Sequence, residues 1–353
     1  MYSQGDKSIS LYKDLLIESE YIGLVQGIAV DSKGRIYVGD LLNQNIHVFT
    51  KSGEYLKSIG KKGEGPGEFK IIGGLQIYDD TLFVYDWMLY RITVFSPDKF
   101  DKPEYTIKIP VSPKGERPTM IGFENLGFTG LWLLGSDFLI PYSRGFSASD
   151  LGKPVYVNFY RIGRNGQFIV NEPLFSIEDK RWFVISGGEK FMVLMNPVGS
   201  GPVVYVKGKR VYYGSNENLD IKFISIDAEN TKVAYTIKYP TKRISVTEEM
   251  LKNLLSQKLD MGVIREVRRQ IPKYMPAFRD FLVDDRNRIW VALNGENLDK
   301  TIWLILSDKG EKIGEFHLHS SVIFKVVKNG YAYGILTDKE GLQKIVRYKI
   351  VEK

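Results

Sequence analysis

A run of short strand-like segments between Gly27 and Ile59 constrains the fold more than any other part of the sequence. The turn Asp31-Ser-Lys-Gly34 separates the first two segments, and its glycine can adopt a positive φ. Each segment has the β-branched or alternating pattern of a strand: Ile28–Val30, Arg35–Gly39, Ile46–Phe49 and Tyr55–Ile59. They predict a four-stranded antiparallel meander. One such sheet cannot bury either face alone, so the chain must supply further sheets.

The same pattern recurs along the chain. The predicted second strands of the repeats are Ile36–Asp40, Leu82–Asp86, Phe138–Tyr142, Val211–Ser215, Ile289–Leu293 and Tyr331–Ile335. The predicted third strands are Ile46–Phe49, Ile92–Phe95, Val157–Tyr160, Ile221–Ile224, Ile302–Ile305 and Ile345–Tyr348. Successive second strands begin 46, 56, 73, 78 and 42 residues apart. Units of this size with four strands each are typical of propeller blades, so we predict an all-β, six-bladed β-propeller.

The predicted propeller is a single domain spanning residues 1–353. Its blades cover approximately residues 24–60, 72–109, 129–177, 200–239, 279–317 and 322–351. The last unit offers only three strands. We therefore expect the N-terminal segment at residues 9–17 to be the outer strand of the last blade, which would remove a free sheet edge.

One insertion, residues 245–271, has a helical pattern. Ser245-Val-Thr-Glu248 has the form of a capping box, and leucines follow at helical spacing up to Leu259. We expect Gly262 to interrupt this helix and a second short helix over Val263–Ile271 to end before Pro272.

Gly27–Phe49 resembles the NHL-type repeat of six-bladed β-propellers, and Gly60–Phe69 resembles the glycine-rich link between such repeats. Phe281–Val291 shows the same resemblance in the fifth unit. The family implies the fold more strongly than a function, because its members include binding and scaffold modules, lactonases and lyases. The similarity to bacterial six-bladed propellers, which are often exported, implies an extracytoplasmic location.

Long insertions are predicted to crowd one mouth of the central channel. In propellers of this kind, that mouth carries the links between blades and the loops between second and third strands. The long segments here are Pro110–Gly130, Pro141–Pro154, Glu178–Ser200 and Tyr239–Arg279. A scaffold that had only to fold would not need them, so we expect the ligand-binding site at this mouth.

The loop from Asp86 to Arg91 is the strongest candidate within that mouth. Trp87 and Tyr90 offer flat rings, while Asp86 and Arg91 offer directed hydrogen bonds, a combination suited to a sugar or a peptide. Asp40 occupies the position equivalent to Asp86. The alternative for both aspartates is structural, because such a residue commonly ties a loop to its own backbone.

Five further residues are candidate ligand contacts. Arg144 lies in the long loop of the third unit and could reach an anionic group, or it could be a solvated loop cation. Arg279 and Asp280 begin the innermost strand of the fifth unit, where they could instead form an ion pair between blades. Asn216 and Asn294 follow second strands at equivalent positions, where asparagine also forms turns.

The sequence singles out no catalytic residue, metal-ligand set or cofactor. The resemblance implies that a lactonase would carry a glutamate just before the innermost strand of the first blade, but this chain has Gln26 there. His317 and His319 could share one face of a strand, and we identify no third ligand to join them.

The formal net charge is +7 without a concentrated basic patch, so we expect no nucleic-acid partner. The sequence contains no run of 18 apolar residues, so we predict no membrane-spanning helix. The favoured function is non-catalytic binding of a carbohydrate, peptide or protein. The alternatives are a metal-dependent lactonase-like hydrolase or lyase, and a protein-interaction scaffold. The oligomeric state stays open.

Overall fold

The computed structural model shows a ring of six antiparallel sheets, which confirms the predicted six-bladed propeller. It describes residues 9–97, 99–100, 102–123, 127–147, 151–187, 190–226, 233–255, 261–295 and 299–352. All structural statements below refer to these residues. Parts of several predicted segments lie outside them, including residues 148–150 of a predicted loop and residues 256–260 at the end of the first predicted helix.

Each blade has four main strands ordered outward from the axis, and the sheet of blade three has a fifth short strand, Arg117–Pro118, paired with its second strand. The innermost strands are Val25–Val30, Ile72–Tyr78, Trp132–Leu134, Pro202–Lys207, Phe278–Val283 and Val322–Lys328. The second strands are Ile36–Asp40, Thr81–Asp86, Asp137–Ser143, Arg210–Ser215, Ile289–Leu293 and Tyr331–Thr337. The third strands are Asn45–Phe49, Arg91–Phe95, Tyr156–Ile162, Asp220–Ser225, Lys300–Leu306 and Gln343–Glu352. The outer strands are Tyr55–Ile59, Tyr105–Lys108, Phe175–Glu178, Val233–Lys238, Lys312–His319 and, in blade six, Ile9–Ile17.

The outer strand of blade six comes from the N-terminal region of the chain. Ile9 pairs with Glu352 and Ile17 pairs with Ile345 in an antiparallel register. A side-chain ion pair fastens the same two strands, since Arg347 Nη2 lies 2.8 Å from Asp14 Oδ2. Blade six therefore combines residues from both ends of the described chain.

The hydrophobic core is divided into six clusters, each between two neighbouring blades. Between blades six and one, Ile17, Val25 and Phe49 pack with Tyr333 and Ile335. This cluster joins the first and last blades, so apolar burial is continuous around the ring. The fold is thus held by blade-to-blade packing as well as by the hydrogen bonds within each sheet.

The links between blades contain further short strands. A two-stranded parallel pair, Lys61–Lys62 with Glu68–Phe69, shapes the link after blade one. The remaining short strands are Arg117–Pro118, Ile121–Phe123, Gly127–Thr129, Trp182–Gly187 and Lys190–Met195. The last two pair in an antiparallel hairpin inside the long segment Glu178–Ser200, between blades three and four.

Two helices lie in the insertion before blade five: α1, Glu248–Leu255, and α2, Met261–Gln270. Thr247, not Ser245, caps α1, because its hydroxyl accepts the N–H of Met250 at 3.4 Å. Ser245 instead forms an isolated bridge with Tyr274. Gly262 lies within α2 and does not interrupt it. Neither helix is long and apolar enough to cross a membrane.

Candidate functional site

Two cavities lie among the loops and the innermost strands of the propeller. We call the face at which the innermost strands begin the loop face, because the links and the loops between second and third strands meet there. A cavity of about 960 Å³ opens among these loops, and we call it the loop cavity. A second cavity of about 430 Å³ runs between the innermost strands of the six blades, and we call it the axial channel.

The loop cavity is walled by four segments that the blades do not need for their own sheets. The inner loops of blades three and four contribute residues 151–155 and Glu217, and the link between these blades contributes residues 178–180, 182–185, Asn196 and 198–200. The segment Tyr239–Arg279, which contains both helices, contributes Arg243, Gly262, Glu266, Gln270 and 272–276. These segments include three of the four long insertions identified in the sequence.

The wall formed by the hairpin and α2 has its own small core. Phe183 and Ile185 of the hairpin pack against Val263 and Val267 of α2, and all four side chains are buried. Neither a lone hairpin nor a helix of ten residues is stable in water by itself. Their mutual packing therefore gives the cavity a defined wall.

Trp182 presents an aromatic ring at the cavity wall and is held by neighbours on two sides. Its Nε1 donates to Asp179 Oδ2 at 3.3 Å, and its ring centroid lies 5.6 Å from that of Phe146. Arg181 Nη2 contacts the same Asp179 oxygen at 2.5 Å in a buried ion pair. The orientation of the indole is thus set by protein contacts before any ligand arrives.

Charged groups of both signs surround the rest of the cavity. Arg243 and Lys273 lie 5.7 Å and 5.2 Å from the ring centre of Tyr274, within the range of cation–π attraction. Lys180 Nζ lies 2.8 Å from Glu217 Oε2, and both residues also line the cavity. The lining therefore combines aromatic surface with donors and acceptors, as small-molecule sites do.

Asp40 and Asp86 are buried at the ends of their second strands. Asp40 accepts the N–H groups of Gly23 at 2.8 Å and Leu42 at 2.7 Å, and His47 Nε2 lies 3.3 Å from its Oδ2. Burial opposes ionisation of Asp40, but the hydrogen bonds from His47 and the backbone outweigh it and hold its pKa far below the usual range. Asp86 accepts the N–H of Lys70 at 2.7 Å in the same manner. Both carboxylates tie a loop to the link that precedes their blade.

The other residues of the Asp86–Arg91 loop also contact the protein. Trp87 Nε1 donates to the carbonyl of Pro118 at 3.3 Å. Tyr90 has a positive φ of 46° and packs on the core between blades two and three. The guanidinium of Arg91 donates to the carbonyls of Glu64, Gly65 and Glu68, which fastens the glycine-rich link. Each of these side chains therefore has a structural role within the protein. Their contact with a ligand stays a prediction.

Asn216 and Asn294 join neighbouring segments at equivalent places in blades four and five. The buried Asn216 accepts the N–H of Gly201 at 2.9 Å and donates to the carbonyl of Phe278 at 3.0 Å. Asn294 donates to the carbonyl of Pro276 at 2.8 Å and accepts Arg279 Nε at 2.9 Å. Asn216 thus connects blade four to blade five, and Asn294 fixes an arginine that lines the axial channel.

Arg279 and Asp280 both line the axial channel, together with Lys325 of blade six. Burial raises the pKa of Asp280, although the Lys325 ammonium and the N–H of Phe281 oppose this rise. Burial has the opposite effect on the two cations and lowers the pKa of Arg279 and of Lys325, because it disfavours their charged forms. Arg144 lies elsewhere, exposed in the inner loop of blade three, two residues before Phe146.

No cluster of three or more histidine, aspartate or glutamate side chains that could hold a metal ion occurs among the described residues. His319 Nδ1 lies 2.8 Å from the hydroxyl of Ser321, on the outer strand of blade five.

Sequence reasoning missed Trp182, Tyr274 and Lys325. A signal for Trp182 was present, since Trp182–Ile185 and Phe191–Met195 are apolar runs separated by a glycine-containing turn, a typical hairpin pattern. Tyr274 and Lys325 had no comparable local signal. Their positions depend on segments that are distant in sequence.

Residues 18–120 match a protein family described as a 6-bladed beta-propeller. No curated protein matches the sequence significantly. A solved structure from Bacteroides vulgatus aligns over 99% of this chain and 99% of its own, with 12% identity and a TM-score of 0.60. A protein from Bacteroides fragilis, described as exported, aligns over 99% of this chain and 96% of its own, with 14% identity and a TM-score of 0.54.

These similarities support the six-bladed fold and do not determine a function. A streptogramin B lyase also aligns over 97% of this chain and 98% of its own, but with 10% identity and a TM-score of only 0.47. That similarity is too low to carry an argument about activity. The NHL-type resemblance stays a prediction, because the matched family is described only by its six-bladed fold.

Proposed function

We propose that this protein is a non-catalytic binding module that recognises a carbohydrate in the loop cavity. The observation that supports this function is a cavity of about 960 Å³ whose walls come from segments added to the blades. Such added segments carry binding sites in many folds, because the scaffold beneath them stays constant.

The chemistry of the lining favours a sugar. The oriented ring of Trp182 suits the apolar C–H face of a pyranose, and the charged and amide side chains around it suit hydroxyl groups. Glu217, Arg243 and Gln270 are examples, and all three line the cavity. Hydroxyl recognition needs donors and acceptors together, since each sugar hydroxyl is both.

A glycan array followed by calorimetry tests the proposal. Trp182→Ala should weaken binding of any glycan hit by at least about tenfold, as expected for a central aromatic contact. Phe191→Ala is the matched control, because Phe191 is 37% exposed on the same hairpin and does not line the cavity. The carbohydrate proposal fails if no glycan binds, or if Trp182→Ala binds as well as the parent protein. If only a peptide array gives hits, the proposed ligand is a peptide and not a carbohydrate.

The extracytoplasmic location is part of the same proposal. One protein of similar fold is described as exported. Fractionation of native cells with an antibody against the propeller tests this location. Recovery in the cytoplasmic fraction would overturn it.

We propose no catalytic reaction. A lactonase-like hydrolase would need several acidic or amide side chains converging on the axis. Three described carboxylates line the channel, and each is engaged with the protein. Asp284 is ion-paired with Arg288, Asp285 accepts the N–H of Asn329, and Asp280 interacts electrostatically with Lys325. This arrangement favours binding of a ligand over metal-assisted hydrolysis.

A further inference from the structure

The charged side chains that line the loop cavity are unevenly paired. In the described part of the lining, four residues carry a carboxylate and four carry a positive charge. The acidic residues are Glu178, Asp179, Glu217 and Glu266, and the basic residues are Lys153, Lys180, Arg243 and Lys273. Which of these charges already have a partner within the protein decides what kind of ligand the cavity can hold.

Each of the four carboxylates has a basic partner. The pairs are Arg181 with Asp179 at 2.5 Å, Lys180 with Glu217 at 2.8 Å and with Glu178 at 3.7 Å, and Arg269 with Glu266 at 3.4 Å. Arg181 and Arg269 are not part of the cavity lining. Neutralising the carboxylates therefore occupies only one of the four cations in the lining, Lys180.

The other three cations, Lys153, Arg243 and Lys273, form no ion pair with any carboxylate in the described part of the chain. All three are exposed. The guanidinium of Arg243 donates to Asn218 Oδ1 at 2.6 Å, but an amide carries no charge to balance it. The lining thus has an excess of positive charge.

The cations Arg243 and Lys273 are held at one aromatic ring, that of Tyr274. The N–H of Met275 donates to the carbonyl of Ile244 at 2.8 Å, which pairs the two backbone segments that carry these cations. Their charged groups lie 5.7 Å and 5.2 Å from the ring centre, so they cannot be farther apart than these two distances combined. Like charges at such a distance repel each other, and a ring attracts them less than an anion would. A negatively charged ligand group is therefore favoured here.

We propose that the ligand of the loop cavity is an acidic glycan, whose carboxylate or sulfate groups bind at Arg243 and Lys273. This inference rests on the proposed sugar site and narrows its ligand. Asn218 uses one donor of Arg243, and the remaining N–H groups of the guanidinium suit the paired oxygens of a carboxylate or sulfate. Lys273 adds a second positive charge, and Lys153 adds a third to the same lining. A sugar that stacks on Trp182 would thus be selected by its charge.

A glycan array that holds uronic-acid and sulfated oligosaccharides beside their neutral counterparts tests the class of ligand. We expect the hits to be acidic. Methyl esterification of the carboxyl groups of a hit, or removal of its sulfates, should weaken calorimetric binding at least about tenfold, because charge-assisted contacts are lost. The chemical change that has this effect identifies the anionic group. Raising sodium chloride from about 50 mM to about 500 mM should weaken binding of the acidic glycan but not of a neutral one.

The double variant Arg243→Gln, Lys273→Gln should weaken binding of the same acidic glycan at least about tenfold. Both side chains are exposed, so their replacement should leave the fold intact, and melting curves check this. Arg265→Gln is the matched control, because Arg265 is an exposed arginine of α2 that does not line the cavity. This variant should bind the glycan as the parent protein does.

The acidic class and the sugar site fail in different ways. A glycan that binds equally well with and without its charged groups, and loses binding in Trp182→Ala, would overturn the acidic class and keep the sugar site. Undiminished binding of an acidic glycan by a folded double variant would overturn the role of Arg243 and Lys273. If no glycan binds at all, the sugar site itself is wrong, and its acidic class with it.

Discussion

Arg288 and Asp284 form a buried tie in the turn between the first two strands of blade five. Arg288 Nε donates to Asp284 Oδ2 at 2.6 Å, and the indole of Trp290 donates to the same oxygen at 3.0 Å. Asp31 and Arg35 repeat this contact in blade one. An aspartate followed four residues later by arginine thus fixes the turn that leads away from the axis.

Arg288→Ala should lower the free energy of unfolding by about 3 kcal/mol, because it leaves the buried carboxylate of Asp284 without its ionic partner. Arg286→Ala is the control. Arg286 makes an exposed ion pair with Glu352 at 2.8 Å, so its loss should cost less than about 1 kcal/mol. Urea denaturation of both variants measures the difference. Equal costs would contradict a special role for the buried pair.

Asp40 should make stability depend on pH in the acidic range. Its pKa in the folded protein lies well below the ordinary value of 3.8, so its ionised form stabilises the fold above that value. The contribution is lost as the pH falls below about 4. At pH 7, Asp40→Asn should cost about 2 kcal/mol, and this cost should shrink in acid.

Denaturant titrations of the parent protein and of Asp40→Asn between pH 7 and pH 3 measure this effect. Asp308→Asn, which removes an exposed carboxylate from a turn, controls for the change in net charge. A cost that stays constant down to pH 3 would show that the ionised carboxylate of Asp40 is not what stabilises the loop.

The N-terminal strand should stabilise the whole ring. Ile17→Ala removes a side chain that is 4% exposed, and we expect it to lower the free energy of unfolding by about 3 kcal/mol in one cooperative transition. Tyr12→Ala, on the same strand but 52% exposed, should change it by less than about 0.5 kcal/mol. A separate early transition in Ile17→Ala would mean that the strand frays without affecting the other blades.

A side chain at Gly60 should lower the stability of the protein, because it would clash with Phe69. The φ of Gly60 is +76°, and a Cβ there would lie 2.3 Å from the ring of Phe69. Gly208 also has a positive φ, +59°, but a Cβ there meets nothing within 4 Å. Gly208→Ala should therefore cost about 1 kcal/mol for its backbone alone, and Gly60→Ala about 3 kcal/mol. Melting temperatures that fall equally would disprove the steric part of this argument.

The ring could be predicted because its determinants are local. The alternating pattern of its strands identifies each blade in the sequence. Asp40 and Asp86 are recognised as equivalent because each ends a second strand. A structural role for these two aspartates could also be predicted locally, because an aspartate beside a loop finds backbone N–H groups within a few residues.

The cavities could not be predicted because their determinants are not local. Lys325 lies in the run Val322–Lys328, where strict alternation would fix the direction of each side chain, but a bulge changes the alternation at that residue. Trp182 lines a cavity that Tyr274, some ninety residues away in the sequence, also lines. Only the closed ring brings such segments together.

The pairing of Ile9 with Glu352 has a consequence for how the protein is made. On the ribosome, the strand Ile9–Ile17 emerges long before its partner, because five blades are synthesised in between. During that time it is an unpaired edge that could join a strand of another chain. Lys13 and Asp14 place charges in the middle of that strand, and charged edges resist association between chains.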